Sequence, residues 1–573
     1  MQSRKICSII AKTERFSPVR LNGSMKLAPL SNATVDQIKA NYTNERPFSS
    51  GRNYLSAKTT KDNSTNITRQ AQPSHQIIEE QSSMPLKAKI NSAGLRIRAH
   101  APTRGNESKE LAEDPHISQE IIKELPDDSK EDVIFDTNFG LRTIELNRPE
   151  KYNSLDGSMI RKIIPRLQEW TKSDMANVII IKGAGSKAFC AGGDVAAIAQ
   201  QNLLGEEGQR RSCDFFALEY KLDHLIATYN KPFIALMDGY TMGGGVGLSI
   251  HAPIRIATER TTFAMPETSI GFFPDVGASF FLPRLCGALG TYLALTSSRL
   301  DGVNAFFTGV ATHFIHSSSL YSMEKRLAEL RFRDYDSLEE RLDLINSTIE
   351  EFVTGLPHEQ PITIYGERRK AIDRCFSKPT VNDIIAALKV EMGPNEQWAK
   401  DTLDAIQKRS PTSVYVAFRQ MQVGKKWSIL EAFRREHQMA TRFMRKSDFN
   451  EGVQATLIRK DGKPKWDPAS LKEIKPKSRI EEPYFDTRGI EPISFLANKD
   501  FKEYPNHNYG LPSEEQVETL VSSKYMKPSN VIEHFIKLTR GKQGVKEKVQ
   551  DIMDRNTVTL AENGSLLWNE VTY

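Results

Sequence analysis

Two glycine-rich turns decide the fold of this chain. The first is Ala188-Phe189-Cys190-Ala191-Gly192-Gly193-Asp194, and the second is Gly239-Tyr240-Thr241-Met242-Gly243-Gly244-Gly245. Glycine leaves backbone N–H groups uncovered by a side chain, and a helix that starts at such a turn adds the positive end of its dipole. Two turns of this kind, if they converge, form an oxyanion hole for an acyl group.

Two acids follow the second turn closely in sequence. Glu267 stands in Met265-Pro266-Glu267, and Asp275 stands in Phe273-Pro274-Asp275-Val276-Gly277. Beside an oxyanion hole, such acids can act as nucleophile, base or proton donor toward a carbonyl group. Each also has a structural alternative, because an acid at a helix start is stabilised by the dipole and Asp is common in turns.

The segments around these turns alternate between strand and helix patterns. Short apolar runs predict buried strands at Val178–Ile181, Phe233–Met237 and Ile254–Ala257. Asn138-Phe139-Gly140 predicts a hairpin, and a helix is expected over Ser158–Lys172. This alternation predicts an α/β fold with right-handed crossovers, followed by a mostly helical region up to about residue 445.

Composition excludes several classes of protein. A chain of 573 residues is long enough for a sizeable core, and a net charge of +6 argues only weakly for a nucleic-acid partner. The five cysteines have no CxxC or metal-ligand spacing, which favours free thiols. The histidines show no such spacing either, so we predict no metal site. No apolar run approaches the ~18 residues of a membrane span.

The two ends of the chain differ from its middle. Residues 1–30 are basic and amphipathic and carry a single acid, Glu14, which predicts a mitochondrial transit peptide; a disordered basic tail is the alternative. Residues 31–125 are polar and predict a disordered leader. We expect the main domain over 131–470. Residues 480–573, with a capping box at Ser513–Gln516, predict a C-terminal helical extension, either a small module or a strap on the main domain.

Several motifs, in this order along the chain, resemble the crotonase superfamily. They are Asn147-Arg148-Pro149, Lys187–Asp194, Met242–Gly247 and Phe263–Glu267. Within it, Phe273-Pro274-Asp275-Val276-Gly277 and Phe281-Leu282-Pro283-Arg284-Leu285 resemble the 3-hydroxyisobutyryl-CoA hydrolase branch. The resemblance spans about residues 131–468. It implies a crotonase-like ββα spiral that binds a CoA thioester, with a C-terminal helical region and a small helical appendix.

The resemblance also implies roles for five residues. Carried over by position, the N–H groups of Gly193 and Gly244 form the oxyanion hole. Glu219, Gly244, Glu267 and Asp275 surround the substrate. Glu267 acts on the thioester as nucleophile or as base for water, and Asp275 positions water or relays protons. CoA is part of the substrate, so the resemblance implies no separate cofactor.

One departure from the superfamily separates hydrolysis from hydration. The hydratases that this chain resembles carry their first catalytic glutamate three residues after the middle glycine of the GGG run, and here that position is Gly247. The resemblance therefore favours a hydrolase of 3-hydroxyisobutyryl-CoA in the mitochondrial matrix, working in valine breakdown, over a hydratase or isomerase.

A second alternative belongs to another class of protein. Some fungal members of this branch are found in the small subunit of the mitochondrial ribosome, and their long extensions resemble those of this chain. Basic side chains between Lys524 and Lys548 could contact phosphates there, or they could form an ordinary solvated helix face. The superfamily often forms trimers, but the sequence leaves the oligomeric state of this chain open.

Overall fold

The computed structural model describes residues 121–475, 478–506 and 508–569. The predicted transit peptide, and the predicted leader up to residue 120, lie outside the described residues. The strands are β1 Val133–Asn138, β2 Leu141–Leu146, β3 Val178–Gly183, β4 Ala188–Cys190, β5 Phe233–Met237, β6 Tyr240–Met242, β7 Ile254–Ala257, β8 Thr262–Ala264, β9 Leu300–Asp301, β10 His313–Phe314, β11 Thr557–Thr559 and β12 Leu566–Trp568. The helices are α1 Gly157–Lys172, α2 Val195–Asn202, α3 Glu206–Ala227, α4 Gly244–Ile250, α5 Ala278–Phe281, α6 Leu289–Thr296, α7 Gly302–Phe307, α8 Leu320–Ala328, α9 Leu338–Glu350, α10 Gly366–Phe376, α11 Val381–Val390, α12 Glu396–Gln407, α13 Pro411–Gly424, α14 Ile429–Met444, α15 Ser447–Val453, α16 Glu482–Phe485, α17 Glu514–Ser523, α18 Pro528–Leu538 and α19 Val545–Asn556.

The strands of the chain alternate between two sheets. The larger sheet has the strand order β1-β2-β3-β5-β7-β10 and is parallel except at the β1–β2 hairpin. The smaller sheet has the order β4-β6-β8-β9 and is antiparallel only at β8–β9. Each successive pair, β3–β4, β5–β6 and β7–β8, therefore gives one strand to each sheet before the chain returns. This confirms the predicted ββα spiral.

The strands of the larger sheet are apolar on both faces because helices cover both. In β3, Ile179 and Ile181 pack toward α1, whereas Val178 and Ile180 pack toward α8 and α9 on the other face. This division follows from the two-residue period of a strand. The continuous apolar run that predicted a buried strand is thus explained by helices on both sides.

Helices from the second half of the chain pack against the elements that follow the strands of the two sheets. Helix α15 lies directly on the 3₁₀ turn Glu267–Ile270, because a Cβ at Gly452 would collide with the backbone of Ile270. Helix α14 packs along α3 and contributes Phe433 to the core there. Helices of the mostly helical region therefore pack against the 3₁₀ turn that carries Glu267 and against α3.

The C-terminal extension has two parts. Residues 486–506, which we call the strap, run over α14, where Ile429 N–H donates to Phe501 O (2.9 Å) and Leu430 N–H donates to Asp500 Oδ1 (3.1 Å). Helices α17–α19 and the β11–β12 hairpin, which we call the C-terminal module, enclose a separate small core. The predicted capping box between Ser513 and Gln516 is present at the start of α17.

Two kinds of feature are absent from the described residues. None of the helices described has both the length and the apolar composition of a membrane span. No group of three or more His, Cys, Asp and Glu side chains within 121–475, 478–506 and 508–569 has the arrangement of a metal site.

Candidate active site

The two glycine turns meet at one point. The amide nitrogen of Gly244 lies 3.8 Å from the position that a Cβ on Gly192 would take. The amide nitrogen of Gly193 lies 3.2 Å from the position that a Cβ on Gly244 would take. Gly244 is the first residue of α4, so its N–H has no acceptor within that helix. The structure thus brings together the two amides predicted for the oxyanion hole.

The turn that carries Gly193 is fixed by its neighbours on both sides. Leu155 N–H donates to Gly192 O (2.8 Å), and Asp194 N–H donates back to Leu155 O (2.9 Å). The Asp194 carboxylate also pairs with Arg148 and Lys151, each at 3.0 Å. These bonds hold the peptide that carries the Gly193 N–H in one orientation, which an oxyanion hole requires.

Two buried glutamates approach these turns from different elements. Glu219, in the middle of α3, is 2 % exposed, and its Oε1 fills the space in which Gly244 would carry a side chain. Glu267, at the start of its 3₁₀ turn, is 5 % exposed, and its Oε1 lies 3.0 Å from the Cβ position of Gly243. Glycine at 243 and 244 therefore leaves room for the two carboxylates.

Asp275 reaches the same cluster from the loop before α5. Its side chain is 4 % exposed, and its Oδ2 accepts a hydrogen bond from the Tyr220 hydroxyl (2.7 Å). Tyr220 follows Glu219 on α3, so one helix contributes an acid to the cluster and orients another acid in it. All five predicted site residues lie around the same point.

A further acid in this region was missed by the sequence analysis. Asp223 lies one helical turn after Glu219 on α3 and is fully buried. Its two oxygens lie 2.6 and 2.8 Å from the Cβ position of Gly247, so this carboxyl takes the space of a side chain at 247. Among the described residues neither oxygen has a hydrogen-bond partner. The only sequence signal was the four-residue spacing from Glu219, which also suits an exposed helix face.

Burial sets the protonation of these carboxyls. Burial first, and then the charge of Asp275, raises the pKa of both Glu219 and Glu267 well above the ordinary range. Burial, then the charge of Glu219, does the same for the pKa of Asp223. Burial raises the pKa of Asp275 to about 7, although the Tyr220 hydroxyl opposes the shift. A carboxylate at Asp275 beside protonated neighbours provides both partners for acid–base chemistry near neutral pH.

Cys190, in the first glycine turn, is a poor candidate for the nucleophile. Its thiol is fully buried, and burial raises its pKa to about 12. A thiol rather than a thiolate therefore predominates near pH 7, and thiols are weak nucleophiles. The acids are therefore better candidates than the cysteine for the reactive groups of the site.

Comparison with known proteins shows the family. The sequence pattern of the enoyl-CoA hydratase/isomerase family matches residues 141–484, so this chain belongs to that family. Small ribosomal subunit protein mS47 of Neurospora crassa is 52% identical over 495 residues, covering 85% of this chain and 94% of that protein. The mitochondrial 3-hydroxyisobutyryl-CoA hydrolases of Danio rerio and Homo sapiens are 45% and 41% identical. They cover 59% and 61% of this chain and 86% and 87% of their own lengths. These mitochondrial relatives confirm the predicted localisation.

Solved structures show the same fold. A carnitinyl-CoA dehydratase from Mycobacterium thermoresistibile is 32% identical with a TM-score of 0.56, and an enoyl-CoA hydratase from Rhodobacter sphaeroides 2.4.1 is 29% identical with a TM-score of 0.54. Each is covered completely and matches 64% of this chain. The predicted crotonase fold is therefore confirmed.

Proposed function

We propose that this chain hydrolyses the thioester of 3-hydroxyisobutyryl-CoA to 3-hydroxyisobutyrate and CoA. The observation that carries the proposal is the convergence of the Gly193 and Gly244 amides with buried Glu267 and Asp275. Two relatives above 40% identity that are named for this hydrolysis support the choice of substrate. Gly247 supports hydrolysis over hydration, because the glutamate of the hydratase pair is absent there.

The proposed chemistry follows from charge development at the carbonyl. A Glu267 oxygen attacks the thioester carbon, and the carbonyl oxygen becomes an anion that accepts from the Gly193 and Gly244 N–H groups. The C–S bond breaks, the CoA thiolate takes a proton, and water hydrolyses the resulting anhydride. In the alternative route Glu267 removes a proton from the water that attacks the same carbon. Both routes use Glu267 as its anion. Because burial favours the protonated form of Glu267, this residue must first give its proton to Asp275 or to water, and Asp275 is placed for that transfer.

Purified protein with 3-hydroxyisobutyryl-CoA and a thiol reagent tests this proposal. We expect CoA release that falls about 10²–10⁴-fold in Glu267→Gln. The wild-type rate should still rise with pH above the range in which an ordinary glutamate titrates, because burial raises the pKa of Glu267, which acts as its anion. Glu207→Gln, at an exposed position on α3, is the matched control. Equal CoA release by wild type and Glu267→Gln, or faster turnover of an enoyl-CoA by hydration, would contradict the proposal.

A second candidate function is favoured by the extent of the fungal relative. The protein named as a ribosomal subunit component aligns over 495 residues, whereas the two hydrolases align over 340 and 348. Its likeness therefore reaches beyond the part that the hydrolases share. We propose, as a role compatible with catalysis, that this chain is also a component of the mitochondrial small ribosomal subunit.

Two of the basic side chains in the C-terminal module point toward the main domain, so they are not available to contact phosphates. Of the basic residues considered for phosphate contacts, Lys542 is buried and paired with Glu350, and Lys548 Nζ donates to Phe307 O (3.0 Å). These two side chains bind the module to the main domain instead. Sucrose-gradient fractionation of mitochondrial lysate tests the role: the protein should sediment with the small subunit before and after magnesium removal. Protein found only at the top of the gradient would contradict it.

A further inference from the structure

The strap passes behind the candidate site and touches the elements that carry its acids. His224, one residue after Asp223 on α3, donates from Nε2 to Lys499 O of the strap (2.9 Å). Further along the strap, the Tyr504 hydroxyl lies 2.8 Å from Nδ1 of His251, the C-cap residue directly after α4. Tyr504 lies beyond residue 484, where the match to the family pattern ends.

His251 connects Tyr504 to the loop of Asp275. Its Nε2 lies 2.8 Å from Val276 O, and a carbonyl oxygen can only accept, so the proton is on Nε2. The Nδ1 lone pair then accepts from the Tyr504 O–H. Burial lowers the pKa of His251 to about 4, so the ring is neutral and this tautomer persists near neutral pH.

The backbone at Val276, whose carbonyl oxygen accepts from His251, has an unusual conformation. Val276 has φ +54°, a region that β-branched residues rarely adopt without support from their surroundings. Gly277 has φ +87° and lies against the His251 ring, with no room for a Cβ. These two residues set the direction in which the preceding residue, Asp275, enters the site.

We propose that Tyr504 is a positioning residue for Asp275, acting through the hydrogen bonds from its hydroxyl to His251 and from His251 to the Val276 carbonyl. By this path the strap helps to set the position of the Asp275 side chain in the active site. This inference rests on the proposed hydrolysis for its kinetic consequence, whereas its structural consequence can be measured without turnover.

Tyr504→Phe is a conservative substitution, because it removes only the hydroxyl group. The ring contacts to Phe280 (4.9 Å between centroids) and Phe501 (5.6 Å) remain available. Tyr509→Phe is the matched control: Tyr509 is also largely buried, but it packs in the cluster of α8 and α9 on the opposite face of the larger sheet. A double variant, Tyr504→Phe with His251→Gln, tests whether the effect passes through His251.

For Tyr504→Phe we expect kcat for 3-hydroxyisobutyryl-CoA to fall about tenfold with KM within about twofold, since the buried hydrogen bond to His251 is lost. Amide hydrogen exchange in residues 274–279 should become faster. Tyr509→Phe should change neither quantity. The double variant should be no slower than His251→Gln alone.

Three results would overturn the proposal. They are a Tyr504→Phe kcat within twofold of wild type, an equal loss in Tyr509→Phe, and a double variant whose losses add. If the wild type hydrolyses no acyl-CoA, the proposed function fails and the exchange measurement decides by itself. Unchanged exchange in 274–279 would then overturn the positioning role.

Discussion

Gly244 is the residue at which the acids and the amides of the site come closest. A Cβ there would collide with Glu219 Oε1 and lie 3.2 Å from Gly193 N. Gly244→Ala should therefore displace an oxyanion-hole amide or Glu219, and kcat for thioester hydrolysis should fall about 10²-fold. Gly510→Ala, where a Cβ meets nothing within 4 Å, is the control. Equal activity in the two variants would show that the amide is not used.

Asp223 makes stability depend on pH. Burial raises its pKa in the folded protein, so its contribution is fully present below the unfolded value of about 4 and is lost as pH rises toward the folded value. Asp223→Asn should therefore gain stability over wild type by about 1.4 kcal/mol per pH unit in that window. Urea unfolding from pH 5 to 8 measures this.

The control for that measurement lies on the same helix. Asp214 is exposed on α3, and Asp214→Asn should give a free energy of unfolding that runs parallel to wild type across the pH range. If Asp223→Asn also runs parallel, the Asp223 carboxyl is not held neutral by the fold.

Sequence reasoning at this scale depended on local motifs. Glu267, Asp275 and the two glycines stand in short recognisable stretches, and the structure brings them together. Asp223 and His251 stand in no such motif, because their surroundings come from separate helices and from the strap. His251 and Tyr504 are separated by 253 positions in the sequence, so no local pattern could predict their hydrogen bond.

Among the elements, α14 supports the Asp275 loop through one buried side chain. Buried Glu436 accepts from Gly277 N–H (2.6 Å) and Ser279 N–H (2.7 Å) at the start of α5. Glu436→Ala would leave both N–H groups unpaired, so we expect a loss of about 2–5 kcal/mol in the free energy of unfolding. Chemical denaturation measures it.

Glu431→Ala on the same helix is the comparison for Glu436→Ala. Glu431 forms a part-exposed pair with Arg435 (2.6 Å), which typically contributes less than about 1 kcal/mol. Similar losses in both variants would mean that the two amide bonds of Glu436 are not a special support for the loop.

The bounds of the elements followed the sequence closely where periodicity was strong. The predicted strands Phe233–Met237 and Ile254–Ala257 have the same bounds in the structure, and the predicted helix over Ser158–Lys172 begins one residue earlier. Short continuous apolar runs leave a strand few alternatives in an α/β chain. Polar stretches such as the strap carry no such periodicity, and their course is set by the surface on which they pack.

For the molecule as a whole, a buried ion-pair network at Glu514 joins the C-terminal module to Arg369 of the main domain, and Arg555 supports this network from within the module. Arg555, 2 % exposed at its side chain, pairs with Glu514 (2.5 Å) and Asp551 (3.0 Å), and Arg369 of α10 also reaches Glu514. Removing one member of a buried network leaves an unpaired charge. Arg555→Ala should therefore cost about 3–5 kcal/mol of unfolding free energy, measured by urea denaturation.

The comparison for Arg555→Ala is Arg540→Ala. Arg540 is 71 % exposed at its side chain and lies 4.0 Å from Asp343, so its loss should cost less than about 1 kcal/mol. Equal losses of unfolding free energy in the two variants would show that the buried network does not stabilise the module.

The sequence by itself determined the order of strands and glycine turns and the family, and it predicted Glu267 and Asp275 as site residues, because each of these depends on short runs of neighbouring residues. Tertiary structure alone decided that Asp223 takes the space left by Gly247 and that Tyr504 lies behind Val276. It also turned Lys542 and Lys548 inward. The physical reason is that burial and hydrogen bonding depend on segments separated by tens to hundreds of residues, which come into contact only when the chain has folded.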